Sequence, residues 1–502
     1  MSDAAPVRRP MGRRGRTAAV IFAATAAYLG YAWLLFWHAS FAVGGSESSG
    51  NANAARLILT ARVVEPVEAL KHLGLPAGFA RVFIPLAFLQ GPRPGTMVPS
   101  FPPGMPLHVA LAGLVAGWNY GPFVVSPLAA LVSVFLVYLL GREFGLSRLF
   151  STAGAAVFAL CPVFVSMAEQ PLSGTVATMW SLAAILFALR SRRREAWAAA
   201  AGAALGLAVL VRPADALLLL PLAFAVRLRP RALLWFLLGV APFAAVLLVW
   251  NRLAFGNPFR TGYSDPGGFS LAHFPGRFRH YGGWLARLMS PLLLAGWALV
   301  SADRRVTLRD RSLLVLWFGS VFFFYCCSAA QETWWSTRYL LPAIPALILA
   351  SLLVARDGLS PQQGGRGALP RRALAVLALA TVLAFEYSWI RDLQVLRSGE
   401  ADRLYPDACR WVESKVPPGS LLISMQMSGA LRYYTNLTPV RWDRIEPEQV
   451  PQLRERARAE GYQWFALLLP FENEEARRRL PWGWTKVGAL REATLWRLDS
   501  DR

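Results

Sequence analysis

The stretch Trp180-Ser-Leu-Ala-Ala-Ile-Leu-Phe-Ala-Leu-Arg-Ser-Arg-Arg-Arg-Glu-Ala-Trp-Ala-Ala-Ala-Ala-Gly-Ala-Ala-Leu-Gly206 decides the class of fold. It places a basic break, residues 190–194, between two apolar runs that are almost free of charge. Such runs recur from residue 17 to about residue 391, and many are long enough to cross roughly 30 Å of hydrocarbon. With 55% hydrophobic and only 16% charged residues, the sequence predicts an all-α polytopic membrane protein.

The basic residues predict how this bundle is oriented. A net charge of +22 would point to nucleic acid in a soluble protein, but here the arginines cluster in short breaks between apolar runs. In the positive-inside pattern such breaks face the cytoplasm. We therefore predict a multi-pass protein of the plasma (inner) membrane that has no nucleic-acid partner.

Five arginines within residues 8–16 precede the first apolar run, residues 17–38. A signal peptide is the alternative interpretation, but the run is long and no small-residue cleavage site is evident after it. We predict that it is the first of eleven transmembrane helices in a domain of residues 1–391, with the N-terminus cytoplasmic and the C-terminus outside. The other ten are predicted at 121–141, 149–168, 172–190, 196–212, 214–227, 232–250, 284–301, 312–328, 338–355 and 373–390.

Two predicted extracytoplasmic segments are too long to be simple connections. The first, residues 40–120, opens with Phe41-Ala-Val-Gly-Gly-Ser-Glu-Ser-Ser-Gly-Asn-Ala-Asn53, in which Glu47 has no Lys or Arg within eight residues on either side. Further along it, 54–64 fits an amphipathic interfacial helix and 105–118 a juxtamembrane or re-entrant one. The second segment, 250–263, is rich in turn residues and aromatics, as segments that line sites often are.

From residue 392 onward the composition becomes that of a soluble domain. Predicted helices alternate with short buried strands, which indicates a small extracytoplasmic α/β domain of residues 392–502. The helices are predicted at 405–415 and 446–460, and the strands at 420–425, 463–469, 485–490 and 494–498. The domain has no convincing catalytic motif, and a packing or acceptor-recruiting role is the default interpretation.

The sequence calls for no cofactor. Its four cysteines lie mostly inside apolar segments, and its five histidines form no cluster. Neither set has metal-ligand spacing, so we predict no structural disulfide and no His/Cys metal site. No cluster of carboxylates calls for a divalent cation.

Charged and aromatic residues collect at the predicted outer ends of the helices. Charged groups at membrane depth are costly and usually face the bundle interior or a wet cavity. A transferase that uses a lipid-phosphate sugar needs an acid that accepts the acceptor's proton and arginines that bind the phosphate. The candidates are Glu47 as the base, Arg56, Arg212 and Arg338 as phosphate ligands, and Glu169, Tyr263, Glu332, Trp334, Trp335 and Tyr339 as pocket residues.

Several of these residues also have a structural interpretation. Interfacial Trp and Arg commonly anchor helix ends without touching a ligand, which applies to Trp334, Trp335 and Arg212. Glu169 fits a cap of the helix that begins near Pro171. Glu47, taken alone, is either a hydrated loop acid or a catalytic base.

The layout of these pieces resembles the GT-C superfamily of polyprenyl-phosphate-dependent glycosyltransferases, in the branch of protein O-mannosyltransferases and lipid A aminoarabinose transferases. Each matching piece is short, but their order covers nearly all of residues 17–391. The pieces are Gly44-Gly-Ser-Glu-Ser-Ser-Gly50, Phe101-Pro-Pro-Gly-Met-Pro106, Glu169-Gln-Pro-Leu-Ser-Gly174, Val211-Arg-Pro213, Asn257-Pro-Phe-Arg-Thr-Gly-Tyr263 and Trp334-Trp-Ser-Thr-Arg-Tyr-Leu-Leu-Pro342.

The resemblance implies an inverting transfer of a hexose or pentose from a polyprenyl-phosphate donor on the outer face. The acceptor would be a lipid, a glycan or a protein. The role of general base then carries over onto Glu47, and donor-phosphate contact onto Arg338 and Arg212. Some members of the superfamily use a divalent metal, which the resemblance leaves undecided here.

The sequence also departs from the family pattern. The first-loop acid is usually Asp, and Glu47 moves the carboxylate outward by one methylene. Gly174 stands where relatives often carry an acid, and Asn51 where many carry Tyr. A second catalytic acid would therefore have to be Glu169 or Glu332.

Two other functions are compatible with the sequence. A lipid or solute transporter also carries intramembrane charges and broken helices, but its halves often repeat, and no such repeat is visible here. A glycan polymerase or ligase would use the same donor face with a different acceptor. Covalent transfer of the sugar separates the transferase from the transporter.

Overall fold

The computed structural model describes residues 13–226, 229–263, 268–329, 332–359 and 368–499. Parts of the predicted cytoplasmic breaks lie outside these ranges, namely Arg8, Arg9 and residues 227–228 and 360–367. The helices, α1 to α22 in chain order, are Arg13–His38, Gly45–Leu59, Glu68–His72, Ala80–Phe83, Gly104–Ala116, Gly121–Glu143, Arg148–Leu160, Pro162–Glu169, Gly174–Arg190, Trp197–Val211, Leu219–Val226, Pro230–Phe255, Phe274–Met289, Pro291–Val300, Leu308–Cys326, Ile344–Leu359, Ala368–Asp392, Ser398–Asp402, Leu404–Glu413, Ser428–Tyr434, Val450–Ala459 and Pro470–Arg479. The strands, β1 to β8, are Glu65–Pro66, Phe88–Gln90, Thr96–Pro99, Leu421–Ile423, Thr438–Val440, Trp464–Leu468, Gly483–Leu490 and Ala493–Asp499.

The fold is mostly helical, with several helices apolar enough to cross a membrane. Within the described ranges, three segments meet the length and composition of a span: α6, α12 and the segment Ala373–Glu413. Three further pairs of helices meet these criteria only when the two members are taken together, because the chain bends between them. The bend is 63° between α7 and α8, 111° between α13 and α14, and 78° between the 3₁₀ helix Trp334–Leu340 and α16. Four shorter apolar helical segments accompany them. The count of eleven spans stays a prediction.

Prolines account for these bends. Pro162 begins α8, Pro291 begins α14 after Ser290 at φ 72°, and Pro342 lies between a 3₁₀ helix, Trp334–Leu340, and α16. A proline lacks the N–H that continues a helix and clashes with the preceding turn. The sequence predicts a single helix for each of these regions, because hydropathy records the length of an apolar run and not a bend within it.

The segment after α1 is more ordered than expected. Residues 41–53 were predicted as a loop and 54–64 as an interfacial helix, but α2 begins at Gly45 and ends at Leu59. Its residues 48–55 are buried, and it packs against α5 and α20. Small Gly, Ser, Asn and Ala side chains let neighbouring backbones approach closely, and this packing overrides their modest helix propensity.

The predicted C-terminal α/β unit is confirmed as a small mixed sheet. Its strands run in the order β5-β4-β6-β8-β7, with β4 parallel to β5 and β6, and β8 antiparallel to β6 and β7. The predicted strands and helices are present, and the structure adds α18, β5, α20 and α22. The sheet shares a hydrophobic core with the segment from Val67 to Met97, and the Arg441 N–H donates to the Val82 carbonyl at 2.7 Å. The C-terminal unit is therefore fixed against the segment that follows α2.

Candidate active site

The Glu47 carboxylate lies between the first turns of two helices. Glu47 is in the first turn of α2, and its Oε1 accepts hydrogen bonds from the Ser173 N–H, at 2.8 Å, and from the Ser173 hydroxyl. Ser173 directly precedes α9, so the positive end of that helix faces the carboxylate. Oε2 of Glu47 has no hydrogen bond to any part of the chain that the structure describes. One oxygen is thus held in place, and the other is available to accept a proton.

Arg212 connects this carboxylate to the next element. Helix α10 ends at Val211 because Pro213 follows, and a residue before proline takes an extended backbone, here φ −140° and ψ 108°. The side chain is buried, with its Nε donating to the Ser173 hydroxyl at 3.1 Å and its Nη1 to the Arg338 carbonyl at 3.3 Å. Ser173 therefore bridges Glu47 and Arg212.

Arg338 is held flat against aromatic rings. In the 3₁₀ helix Trp334–Leu340, side chains three residues apart share a face, which places Arg338 over Trp335 at 3.4 Å from the ring centroid. Its Nη2 donates to the Tyr339 hydroxyl at 3.0 Å. Its Nε is buried and has no hydrogen-bond partner among the described residues. A buried donor without a protein partner needs another acceptor, such as a water or a ligand oxygen.

Nearby charges and hydrogen bonds set the pKa of the Glu47 carboxyl. Burial alone would raise the pKa of the Glu47 carboxyl, but the guanidinium groups of Arg212 and Arg338 and the hydrogen bonds from Ser173 outweigh it and lower that pKa. Tyr263 is 56% exposed, yet burial of its hydroxyl, together with the negative charge of Glu47, raises its pKa. Glu47 is therefore ionised, and the Tyr263 hydroxyl, on which its charge acts, is protonated.

The structure places four predicted site residues outside this cluster. Arg56 stacks on Tyr433 at 3.8 Å and donates to the Tyr433 carbonyl at 2.8 Å, so its guanidinium is already engaged. Glu332 pairs at the surface with Arg277, at 3.3 Å. Trp334 is partly buried and packs against two hydrophobic clusters.

Glu169 is the fourth of these residues. It is 1% exposed, and its backbone carbonyl accepts a hydrogen bond from the Ser40 N–H at 2.6 Å. Neither of its carboxylate oxygens has a hydrogen-bond partner among the described residues. It ends α8 instead of capping the helix that follows, and no hydrogen bond among the described residues joins its side chain to Glu47.

The groups around Glu47 are suited to an anion. Two guanidinium groups and the Ser173 hydroxyl act on Glu47, and the buried Asp215 carboxylate acts on one of those guanidinium groups, Arg212, whereas divalent cations prefer several oxygen ligands. Within the described ranges, no group of three or more His, Cys, Asp or Glu side chains is placed to hold a metal ion. All four cysteines are free and buried.

Helix α20 of the C-terminal unit holds α2 in position. The buried Asn53 side chain donates to the Ser49 carbonyl at 2.9 Å and to the Gly429 carbonyl at 3.0 Å. The Tyr434 hydroxyl accepts the Val43 N–H at 2.7 Å, just before α2 begins. These contacts set the position of the helix that carries Glu47.

The close approach of α20 to α2 requires glycine at position 429. A Cβ there would overlap the Ser49 hydroxyl and lie 2.8 Å from the Ser49 Cβ. We expect Gly429→Ala to lower the free energy of unfolding by about 1–3 kcal/mol, through overpacking, in a thermal unfolding measurement. The matched control is Gly282→Ala in α13, where an added Cβ meets nothing within 4 Å. Equal melting temperatures for Gly429→Ala and wild type would contradict this account of the contact.

Sequence reasoning missed Ser173 and the role of α20. Ser173 lies within the quoted Glu169–Gly174 piece, and a serine directly before a helix start is a recognisable cap signal, but that signal points to the helix and not to Glu47. Tyr325 was also missed. Its ring stacks on Tyr339 at 5.2 Å, and its position within an apolar run gave no reason to single it out.

No family model matches the sequence, and no curated protein matches it. Solved structures do match its fold. ArnT from Cupriavidus metallidurans bound to undecaprenyl phosphate matches with a TM-score of 0.55 and 16% identity over 95% of this chain and 98% of that one, and its apo state with 0.58 and 14% over 96% and 98%. The oligosaccharyltransferase AglB from Archaeoglobus fulgidus, in complex with an inhibitory peptide and a dolichol-phosphate, matches with 0.51 and 12% over 95% and 74%. The arabinofuranosyltransferase AftD from Mycobacteria matches with 0.54 and 14% over 97% and 42%.

These matches define the class of fold. The predicted resemblance to GT-C glycosyltransferases is confirmed at the level of the fold, over about 95% of the chain. Among the matches, ArnT is covered over nearly its whole length. The chain therefore has the fold that these solved structures share.

Proposed function

We propose that this protein is a membrane glycosyltransferase that moves a sugar from a polyprenyl-phosphate donor to a lipid, glycan or protein acceptor. The observation that carries the proposal is the hydrogen-bonded series Glu47, Ser173, Arg212 and Arg338. Among the described residues, one Glu47 oxygen has no hydrogen-bond partner in this series, and neither has the buried Arg338 Nε. The fold supports it, since the matching ArnT structure is bound to undecaprenyl phosphate.

The proposed reaction is a single displacement with inversion. Oε2 of Glu47 accepts the proton of the acceptor hydroxyl as the acceptor oxygen bonds to C1 of the sugar. The bond between C1 and the phosphate oxygen breaks, and its electron pair stays on the leaving polyprenyl phosphate. Arg338 and Arg212 stabilise that charge, and Glu47 then releases its proton to solvent.

Tyr263, Trp335 and Tyr339 complete the proposed pocket. The charges of Glu47 and Arg212 both act on the Tyr263 hydroxyl. Trp335 and Tyr339 hold Arg338 flat and offer apolar surface to the donor. We further propose that this site faces the outside of the plasma membrane, because the predicted cytoplasmic breaks carry the arginine clusters.

The direct test uses purified protein in liposomes with polyprenyl-phosphate hexose labelled in the sugar. The expected result is release of polyprenyl phosphate. The labelled sugar is then found attached to an acceptor or, where water is the acceptor, as free sugar. Movement of intact labelled donor across the bilayer without release of polyprenyl phosphate would contradict the proposal and favour a transporter. A product with retained anomeric configuration would contradict the single displacement.

The pH dependence of this release tests the environment of Glu47. Since the pKa of Glu47 is lowered, the base stays ionised as pH falls. Activity should therefore be lost only below pH 4.5, the ordinary pKa of a glutamate carboxyl. Ser173→Ala removes a hydrogen bond to the ionised carboxylate, so its acid limb should move to higher pH by roughly one unit. The measurement is the pH-rate profile of polyprenyl phosphate release. If the acid limb of the pH-rate profile is the same in Ser173→Ala as in wild type, the ionisation of Glu47 does not determine that limb.

A further inference from the structure

Helix α13 is a basic helix at the membrane surface. Its sequence, Phe-Pro-Gly-Arg-Phe-Arg-His-Tyr-Gly-Gly-Trp-Leu-Ala-Arg-Leu-Met, contains three arginines, one histidine and no acidic residue. At Ser290 the chain turns by 111° into α14, which carries no charge and packs against the apolar helix α16. Because of that turn, α13 does not follow α14 into the hydrocarbon and lies along its surface instead.

The helix has one buried face and one exposed face. The buried face packs against α15 and α17. Its residues are Tyr281, Leu285, Leu288 and Met289. The exposed face carries Arg279, Gly283 and Arg287, which follow each other at a spacing of four residues. A Cβ added at Gly283 would meet nothing within 4 Å, so the backbone between the two arginines is open to a ligand.

The protein leaves the two arginines of the exposed face without a counter-charge. Neither Arg279 nor Arg287 forms an ion pair with an acid in the part of the chain that the structure describes. Arg287 lies over the Trp284 ring instead, 5.2 Å from its centroid. By contrast, the Arg277 side chain is 16% exposed and pairs with Glu332 at 3.3 Å. Guanidinium groups in this position attract the anionic headgroups of a membrane and match the oxygens of phosphate.

Exposed aromatic rings border the basic face. Phe278 of α13 is 52% exposed, and Phe323 of α15 is 50% exposed. The ring of Phe274 lies between them, with its centroid 5.6 Å from that of each. A free phosphate gains nothing from such a surface, whereas the acyl chains of a lipid cover it. The arginines and the rings together therefore favour a phospholipid over a soluble anion.

Another side of α13 is bonded to the 3₁₀ helix at the candidate active site. The Ser336 hydroxyl donates to the Thr333 carbonyl at 2.7 Å, so its oxygen accepts from the His280 Nε2–H at 2.9 Å. The ion pair of Arg277 with Glu332 joins the same two segments. A lipid that binds α13 should therefore stabilise this part of the fold, and thermal unfolding should report it.

We propose that the exposed face of α13 is a docking surface for anionic phospholipid. The headgroup phosphates pair with Arg279 and Arg287, and the acyl chains lie along Phe278 and Phe323. The proposal goes beyond sugar transfer and does not depend on it, because it requires only the charges and the rings of this surface.

The test measures the melting temperature of the purified full-length protein in neutral detergent, with phosphatidylglycerol or phosphatidylcholine of matched acyl chains. We expect phosphatidylglycerol to raise the melting temperature more than phosphatidylcholine does. Arg279→Gln and Arg287→Gln should each weaken the apparent affinity for phosphatidylglycerol roughly fivefold, and the double variant roughly 25-fold. Arg497→Gln, which removes an exposed arginine of β8, is the matched control and should bind as wild type does.

Two further measurements identify the ligand and its position. Glycerol 1-phosphate has a charged headgroup without acyl chains and should leave the melting temperature unchanged. Arg338→Ala should keep the shift with phosphatidylglycerol, since the phospholipid binds outside the candidate active site. A shift with glycerol 1-phosphate that depends on Arg279 and Arg287 would replace the lipid surface by a soluble-anion site. Loss of the shift in Arg338→Ala would assign the lipid to the donor site, and either result overturns the proposal.

The proposal is also overturned if the two phospholipids raise the melting temperature equally, or if the double variant responds to phosphatidylglycerol as wild type does. Both arginines are exposed, so without lipid their replacement should leave the melting temperature unchanged. Release of polyprenyl phosphate is measured separately. Phospholipid binding without that release would refute the transferase function alone, and release without preferential binding of phosphatidylglycerol would refute the docking surface alone.

Discussion

Glu47→Gln is expected to lower the release of polyprenyl phosphate roughly a hundredfold to ten-thousandfold, the usual contribution of a positioned general base. The change is nearly isosteric. The Gln carbonyl can still accept both hydrogen bonds from Ser173, so the amide replaces only the oxygen that takes the proton. Glu47→Asp keeps the charge but withdraws the carboxylate by one methylene, and its rate should lie between those of wild type and Glu47→Gln.

Glu492→Gln is the matched control for these variants. Glu492 is an exposed acid between β7 and β8, so the variant makes the same chemical change away from the site. It should turn over at the wild-type rate at equal protein level. Wild-type turnover by Glu47→Gln would refute the role of Glu47.

Arg338→Ala should lower kcat/KM for the donor roughly a hundredfold, comparable to the loss of one donor that stabilises transition-state charge. Arg338→Lys should recover little of it. An ammonium lacks the Nε position, is not planar, and cannot stack on Trp335 as the guanidinium does. Unchanged kcat/KM in Arg338→Ala, with Arg497→Ala as the control, would refute a role in binding the donor.

The two site arginines are expected to act as a unit. Arg212 donates to the Arg338 carbonyl, so its loss also releases the 3₁₀ helix that carries Arg338. Arg212→Ala combined with Arg338→Ala should therefore lose less activity than the product of the two single losses. Kinetics of the two single variants and the double variant, measured over a range of donor concentrations, provide the check.

The sequence predicted the helical class and three central site residues because local signals point to them. Glu47 follows the first apolar run without a nearby basic residue, Arg212 precedes a proline that ends a helix, and Arg338 lies three residues after Trp335 in an aromatic stretch. Each signal involves only neighbours in the chain. The structure brings these three residues together around Ser173.

The remaining features depend on contacts between distant parts of the chain. Arg56 has the charge of a phosphate ligand, but Tyr433, 377 positions away, engages its guanidinium. Ser173 bonds Glu47 across 126 positions, and no local pattern announces such a pair. The helical state of Gly45 to Asn53 follows from packing against α5 and α20, which composition alone does not reveal. Hydropathy likewise predicts the length of an apolar segment but not where that segment bends.

The central claim is that Glu47 acts in the chemical step and not in holding the donor. The most direct measurement is a single-turnover rate for Glu47→Gln at saturating polyprenyl-phosphate hexose, together with its Kd for polyprenyl phosphate. The account predicts a Kd within about threefold of wild type and a single-turnover rate lower by roughly a hundredfold or more. A wild-type single-turnover rate, or a rate restored by raising the donor concentration, would contradict it.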